Sequence, residues 1–145
     1  MIVFADSSAL VKLYADEEGH DRIRSLDTLA VSAIARVEVP AALWRKHRIG
    51  QLTAADTAVL IAAFDSDYFG TDRTPPRFAA VAVTATVLDD AARCAAVHGL
   101  PAYDAVQLAG ARATADVEPD CTTFAAFDRG LRAAAAAEGF AVVPA

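Results

Sequence analysis

The chain has 145 residues, with 13 Lys and Arg against 19 Asp and Glu, a formal net charge of -6 and 55% hydrophobic residues. That length predicts one domain over residues 1–145, able to bury a core without disulfide or metal staples, and the apolar fraction excludes intrinsic disorder. The acidic balance excludes a protein that grips nucleic acid by bulk positive charge, because that mode needs a basic surface and counterion release. Any nucleic-acid function must then reside in a site.

With 36 alanines the chain is expected to be mostly helical. Met1 to Asp6 has no basic segment and reaches a charge at once, unlike a secretory signal, and no apolar run approaches the roughly 18 residues of a membrane span. A cytoplasmic location without membrane contact is the expectation. Cys94 and Cys121 match no metal or redox spacing and read as buried thiols.

Strand and helix signals alternate along the chain. Ile2–Ala5 reads as a strand ended by Asp6, and Ser7–Ala15 as a helix with Leu10, Leu13 and Tyr14 on one face. A short helix over Asp21–Leu26 follows, then a strand over Leu29–Ser32 with Ser32 placed to cap the next helix. That helix, Ile34–His47, carries Val37, Ala41 and Trp44 on one face, and Pro40 inside it predicts a bend or a restart. Thr53 is a good N-cap for a helix over Ala54–Tyr68 with Val59, Leu60, Ala63 and Phe64 inward. Gly70–Arg77, with Pro75 and Pro76, is a loop. Phe78–Thr84 is a weak strand signal because of its alanines. Val87–His98 is a helix stopped by Gly99, where His98 complements the dipole. A helix over Asp104–Ala115, a strand over Cys121–Phe127, a helix over Arg129–Glu138 and a strand over Phe140–Val143 complete the reading. The alternation predicts a mostly parallel sheet covered on both faces, with its site beyond the carboxyl ends of the strands. Asp6 and Asp128 each follow a strand and should point into one crevice.

Taken singly, an acid before a helix is most often an N-cap, and Asp6, Asp104 and Asp128 all suit that role. Their surroundings argue for more. Asp6 ends a buried strand, Asp104 opens an apolar helix, and Glu38 lies among Val37, Val39 and Pro40. Carboxylates at the edges of apolar segments are costly unless neutralised, and no Lys or Arg is placed among them in sequence. A hard divalent cation such as Mg²⁺ or Mn²⁺ selects carboxylate oxygen and keeps positions open for phosphate and water. The chemistry this suits is phosphodiester hydrolysis, in which the metal activates water and a carboxylate accepts a proton.

The string Phe4-Ala5-Asp6-Ser7-Ser8-Ala9-Leu10-Val11-Lys12-Leu13-Tyr14, then Val37-Glu38-Val39, then His98-Gly99-Leu100-Pro101-Ala102-Tyr103-Asp104-Ala105-Val106-Gln107-Leu108-Ala109, then Phe127-Asp128-Arg129-Gly130-Leu131 resembles the four acidic motifs of PIN-domain ribonucleases, in particular VapC-type toxins of toxin–antitoxin pairs. The resemblance spans essentially the whole chain. It implies a three-layer α/β/α sandwich and an RNA endonuclease that depends on Mg²⁺ or Mn²⁺. It also implies inhibition by a small antitoxin protein and assembly as a homodimer. Asp6, Glu38, Asp104 and Asp128 fall on the family's catalytic, metal-holding acidic positions. One departure stands out: the family often has a hydroxyl two residues before the last acid, and here that position is Ala126. Thr122 and Thr123 lie further back, and Asp120 reads as an exposed turn residue.

Arg45-Lys46-His47-Arg48 is the one dense basic cluster. It reads either as a solvated helix end or as a contact for RNA phosphate or an acidic partner. Arg129 and Arg132 divide in the same way, and Trp44 reads as core or dimer interface. Two other Mg²⁺-binding classes fit less well. A receiver-like domain needs a downstream Lys, whereas the lysines are Lys12 and Lys46. A haloacid-dehalogenase-like phosphatase needs an acid where Ser8 stands. A PIN-like binding module without catalysis stays open, and Ala126 gives it weight. Four acids gathered in one site would localise much of the negative charge, and one or two divalent ions would bring the formal charge to -4 or -2.

Overall fold

The computed structural model describes residues 1–145. Five strands, β1 (Ile2–Ala5), β2 (Thr28–Ser32), β3 (Phe78–Val81), β4 (Thr123–Ala125) and β5 (Ala141–Val143), form one sheet in the order β3-β2-β1-β4-β5. Every pairing is parallel, so the sheet is wholly rather than mostly so. The strands alternate Cβ directions, as extended chain must. Phe4, Ala30 and Phe124 enter one apolar cluster, and Val3, Ala5, Leu29, Val31 and Ala125 enter the other. Helices α5 (Ala85–His98), α6 (Ala102–Val117) and α7 (Arg129–Ala137) cover the first face. Helices α1 (Ser7–Val11), α3 (Ala35–Arg48) and α4 (Ala54–Phe69) cover the second, with the short α2 (His20–Arg24) beside α1. This is the three-layer α/β/α sandwich that the alternation and the resemblance both imply. No helix is long and apolar enough to cross a membrane.

The chain lays β1 in the middle of the sheet, builds outward through β2 to β3, and then returns to add β4 and β5 on the other side of β1. The order therefore reverses between β1 and β4, which is where open α/β sheets bind ligands. The backbone N–H of Asp6 donates to the carbonyl of Ala125 at 3.0 Å and closes the two strand ends against each other.

Several expected details change. Helix α1 ends at Val11 and gives way to turns, although Ala15 remains buried. In α3 the inward residues are Ala35, Val39 and Leu43. Val37, Ala41 and Trp44 lie on the exposed side, so Trp44 is not a core residue. Two apolar stripes compete on this helix, and the β-branched and Leu stripe takes the sheet. The helix also runs through Pro40 as one element instead of restarting. In α4 the buried residues are Thr57 and Phe64, with Leu60 and Ile61 beside them, while Val59 and Ala63 face out. Thr53 caps α4 as expected, accepting from the Asp56 N–H at 3.0 Å. Ser32 accepts from the Ile34 N–H at 3.2 Å, just ahead of α3. The strand over Phe78–Val81 exists but stops short of Thr84, which instead caps α5.

Helices α5 to α7 are tied by charge as well as packing. Arg93 and Arg112 reach Glu138 at 2.7 and 2.6 Å, and both also reach Asp90. His98 Nε2 meets Glu138 Oε1 at 2.8 Å, which gives that histidine a structural role. The α3 assignment is tested by paired truncations. Leu43→Ala should lower unfolding free energy by about 2–5 kcal/mol, because a fully buried leucine leaves a cavity. Val37→Ala should stay within about 0.5 kcal/mol. Denaturant melts giving the opposite ranking would contradict the observed face.

Candidate functional site

Asp6 leaves β1 where the chain turns into α1, and its carboxylate accepts the Ala9 N–H at 2.9 Å as an N-cap. The Ser8 hydroxyl also donates to it, at 2.7 Å, and accepts in turn from the Phe127 N–H at 3.3 Å. One serine thus links the end of β1 to the turn after β4. Asp128 caps α7 by accepting the Leu131 N–H at 2.9 Å and is exposed. The capping role inferred for these two acids taken singly is therefore real. Asp104 is different: α6 begins at Ala102, so Asp104 lies in the first turn and caps nothing.

Glu38 occupies the first turn of α3. Its Oε1 accepts from Ser7 Oγ at 2.9 Å and from Gln107 Nε2 at 2.8 Å, and the same Gln107 nitrogen also reaches Ser7 Oγ at 2.9 Å. Gln107 is 2% exposed, and its Oε1 has no partner. The amide must face this way, because the reverse orientation would set a carbonyl against a carboxylate. The orphaned oxygen costs roughly 1–3 kcal/mol, comparable to the 1.5–3 kcal/mol of a hydrogen bond to a charged group. The arrangement fixes one oxygen of Glu38 and leaves the other uncommitted.

The acids sense one another. Burial pushes the Asp6 carboxyl up to about 7, against the Ala9 and Ser8 hydrogen bonds, and the charges of Asp104 and Glu38 push in the same direction. Asp104 is raised by partial burial and then by Asp128 and Glu38. The fold has thus brought all four sequence-predicted residues into one electrostatic unit. As the side chains lie, however, no three acids, histidines or cysteines converge tightly enough to hold an ion. Capping and hydrogen bonds tether Asp6, Asp128 and Glu38 where they stand.

Compensation from protein cations is missing. Lys12 and Lys46 pair with Glu17, Arg24 with Asp16, Arg77 with Asp67, and Arg93 and Arg112 with Asp90 and Glu138. None of these ion pairs includes Asp6, Glu38, Asp104 or Asp128. Arg132 lies near Asp128 in sequence, but its guanidinium donates to the carbonyls of Ala126 and Pro144. An all-oxygen, all-acidic set without a basic partner fits a hard divalent cation. Ala126 itself is fully buried in the α5–α7 core, so its methyl takes no place among the acids. Thr123 neighbours Met1 at the far end of β4, and Asp120 is exposed in a turn. Sequence reasoning missed Ser7, Ser8 and Gln107 as supports of the acids. The available signals were two hydroxyls directly after Asp6 and an amide inside the apolar run of α6.

No family model matches the chain. Two relatives, Ribonuclease VapC45 of Mycobacterium tuberculosis (strain CDC 1551 / Oshkosh) and Ribonuclease VapC49 of Mycobacterium tuberculosis (strain ATCC 25618 / H37Rv), are each 36% identical to it, over 99% of this chain and 96% of theirs. Among solved structures, PAE2754 from Pyrobaculum aerophilum superposes with a TM-score of 0.63 at 24% identity, covering 99% of this chain and 84% of that one. FitAcB from Neisseria gonorrhoeae gives 0.60 at 19% identity, covering 98% and 96%. At these identities the structural matches speak for the fold.

The raised Asp6 carboxyl has a signed consequence for the metal-free chain. Its folded value of about 7 lies above 3.8, so the stability it contributes is complete below pH 3.8 and is lost as pH rises through 7. Carboxyl NMR should place its midpoint near 7 and show Asp104→Asn shifting it down. Asp6→Asn should stabilise the metal-free chain above neutrality by about 1–3 kcal/mol. A midpoint near 4 would contradict the electrostatic unit.

Proposed function

The chain belongs to the VapC family of ribonucleases, and from that premise we propose that it cleaves RNA with a divalent cation held by Asp6, Glu38, Asp104 and Asp128. As a family member it is a toxin endoribonuclease, a hydrolase of phosphodiester bonds whose counterpart is an antitoxin. Mg²⁺ or Mn²⁺ as the cofactor, these four acids as the catalytic and metal-holding residues, and a homodimer as the working assembly belong to the proposal. The observation that carries the metal reading is the isolation of the four acids. Asp104 and Glu38 raise the proton affinity of Asp6, and Asp128 and Glu38 that of Asp104, and no ion pair joins a Lys or Arg to any of the four, whereas Glu17, Asp90 and Glu138 are all paired.

When bound, the cation supplies charge neutralisation and Lewis acidity toward phosphate and water. The remaining work falls to side chains. Asp6 is held by the Ala9 N–H and the Ser8 hydroxyl, so its position is set before any ion arrives. Glu38 offers the carboxylate oxygen that Ser7 and Gln107 leave free. Asp104, half-buried, has the freedom to turn toward the others and is suited to accept a proton from an attacking water. Asp128 is the solvent-facing member, on the side from which RNA approaches. Exposed Tyr103 and Val37 line an apolar cavity of about 390 Å³ against Glu38, a surface suited to an unstacked base.

Cleavage of single-stranded RNA in Mg²⁺ or Mn²⁺ is the test. Asp104→Asn should lower kcat at least 100-fold without lowering the melting temperature, and chelation should abolish activity. A retained rate in Asp104→Asn would overturn the site. Gln107→Leu should retain the fold and lose about 10- to 100-fold in kcat, with the apparent affinity for Mn²⁺ weakened, because Glu38 is no longer oriented. Unchanged metal affinity in that variant would refute the positioning role.

A further inference from the structure

The basic residues at the end of α3 are left over by the chemistry above. Arg45 and Lys46 meet Lys12 in a cavity of about 440 Å³ that Ser8 and Phe127 also line. Ser8 is the residue that donates to Asp6, and Phe127 immediately precedes Asp128. The cavity therefore shares a wall with the acidic unit. Lys12 is only 8% exposed, and its Nζ donates to the Glu18 carbonyl at 2.7 Å and lies 4.1 Å from the centroid of the Phe127 ring. Lys12 and Lys46 take one oxygen each of the same carboxylate, Glu17, at 3.3 and 2.5 Å. Burial raises the Glu17 carboxyl, but the two ammonium groups outweigh it and hold it below the usual range. Arg45 is exposed, and no ion pair includes it.

A solvated helix end accounts for Arg48, which is exposed and does not line the cavity, but not for a buried lysine. Three cations against one carboxylate leave an excess of positive charge at one edge of the site, in a chain whose net charge is -6. Isolated buried charge is costly and surface pairs contribute only about 0–1 kcal/mol, so stability alone gives little reason for the arrangement. Placed against the acids, it has the composition of an anion site held closed by an internal counter-ion.

We infer that this cavity is a phosphate subsite that takes the RNA backbone phosphate adjoining the one presented to the acids. Lys46 and Arg45 are its direct contacts, Lys12 is the fixed charge behind them, and Glu17 is the counter-ion the phosphate displaces. The inference rests on the ribonuclease reading and gives the site a direction. The strand enters over α1 and α3, crosses Ser8 and reaches Asp6. An acidic protein segment would satisfy the same cations, but the shared wall with the acids favours the polymer that is cut there.

The test uses the full chain in EDTA and a labelled single-stranded RNA, with affinity followed against salt. Arg45→Gln, at an exposed position, and Lys46→Met should each weaken binding about 3- to 10-fold and reduce the slope of log K against log salt by about 0.7, the value for one single-strand phosphate contact. Glu17→Gln should tighten binding. In cleavage assays KM should rise in Arg45→Gln while kcat holds. Inorganic pyrophosphate, titrated calorimetrically, should bind the wild type and bind Lys46→Met more weakly, a readout independent of nuclease activity. Unchanged RNA affinity and slope in both cation variants would overturn the subsite even if cleavage proceeds normally. So would displacement of pyrophosphate by polyglutamate but not by RNA, which would assign the cavity to an acidic protein. Absent cleavage with Lys46-dependent RNA binding intact would instead refute the ribonuclease reading and leave the subsite standing.

Discussion

The hydrogen bond from the Asp6 N–H to the Ala125 carbonyl joins the ends of the two strands between which the sheet reverses its order. Everything in the site is placed relative to that closure. It sets Asp6 at the mouth of the crevice and brings the β4–α7 turn with Asp128 alongside. It also lets Ser8 bridge the two segments by donating to Asp6 and accepting from Phe127. A parallel sheet makes this arrangement natural, because all its strands end on the same edge and their following turns gather there. Glu38 and Asp104 then come from the first turns of α3 and α6, on opposite faces of the sheet.

The distribution of charge follows a clear division. On the α5–α7 side, Glu138 and Asp90 are surrounded by Arg93 and Arg112, and Glu138 is held down to about 2, chiefly by its hydrogen bonds to His98 and Arg93. Around the strand ends the opposite holds: carboxyls are raised by burial and by one another. The first arrangement is what a structural ion-pair cluster does to a carboxylate, and the second is what an uncompensated functional cluster does. The basic cavity over Glu17 adds a third zone, where Lys12 and Lys46 share one carboxylate and Arg45 stands unpaired, so positive charge in this acidic chain is gathered locally.

Asp6, Asp104 and Asp128 stand out in the sequence because each sits at a junction between a strand or apolar run and a helix, whereas Glu38, inside the α3 run, is singled out by its apolar neighbours and by the family resemblance. The sheet was legible for a related reason: short continuous apolar runs with β-branched members mark strands buried on both faces even in an alanine-rich chain. The inward faces of α3 and α4 were not. Val37, Ala41 and Trp44 form as good an apolar stripe as Ala35, Val39 and Leu43, and only the packing against β1 and β2 decides between them. Gln107 was hidden for the converse reason, since a polar residue within a hydrophobic helix reveals its role only when its distant partner, Glu38, is known.

The central claim is the proposal that Asp6, Glu38, Asp104 and Asp128 together hold a divalent cation. Calorimetric titration of the chain with Mn²⁺ at about pH 6.5, in buffers of different ionisation enthalpy, tests it most directly, because ligands must shed protons to bind metal. Saturable binding with release of a substantial fraction of a proton, the release disappearing in Asp6→Asn, is the predicted result. No binding of Mn²⁺ at millimolar concentration would contradict the account.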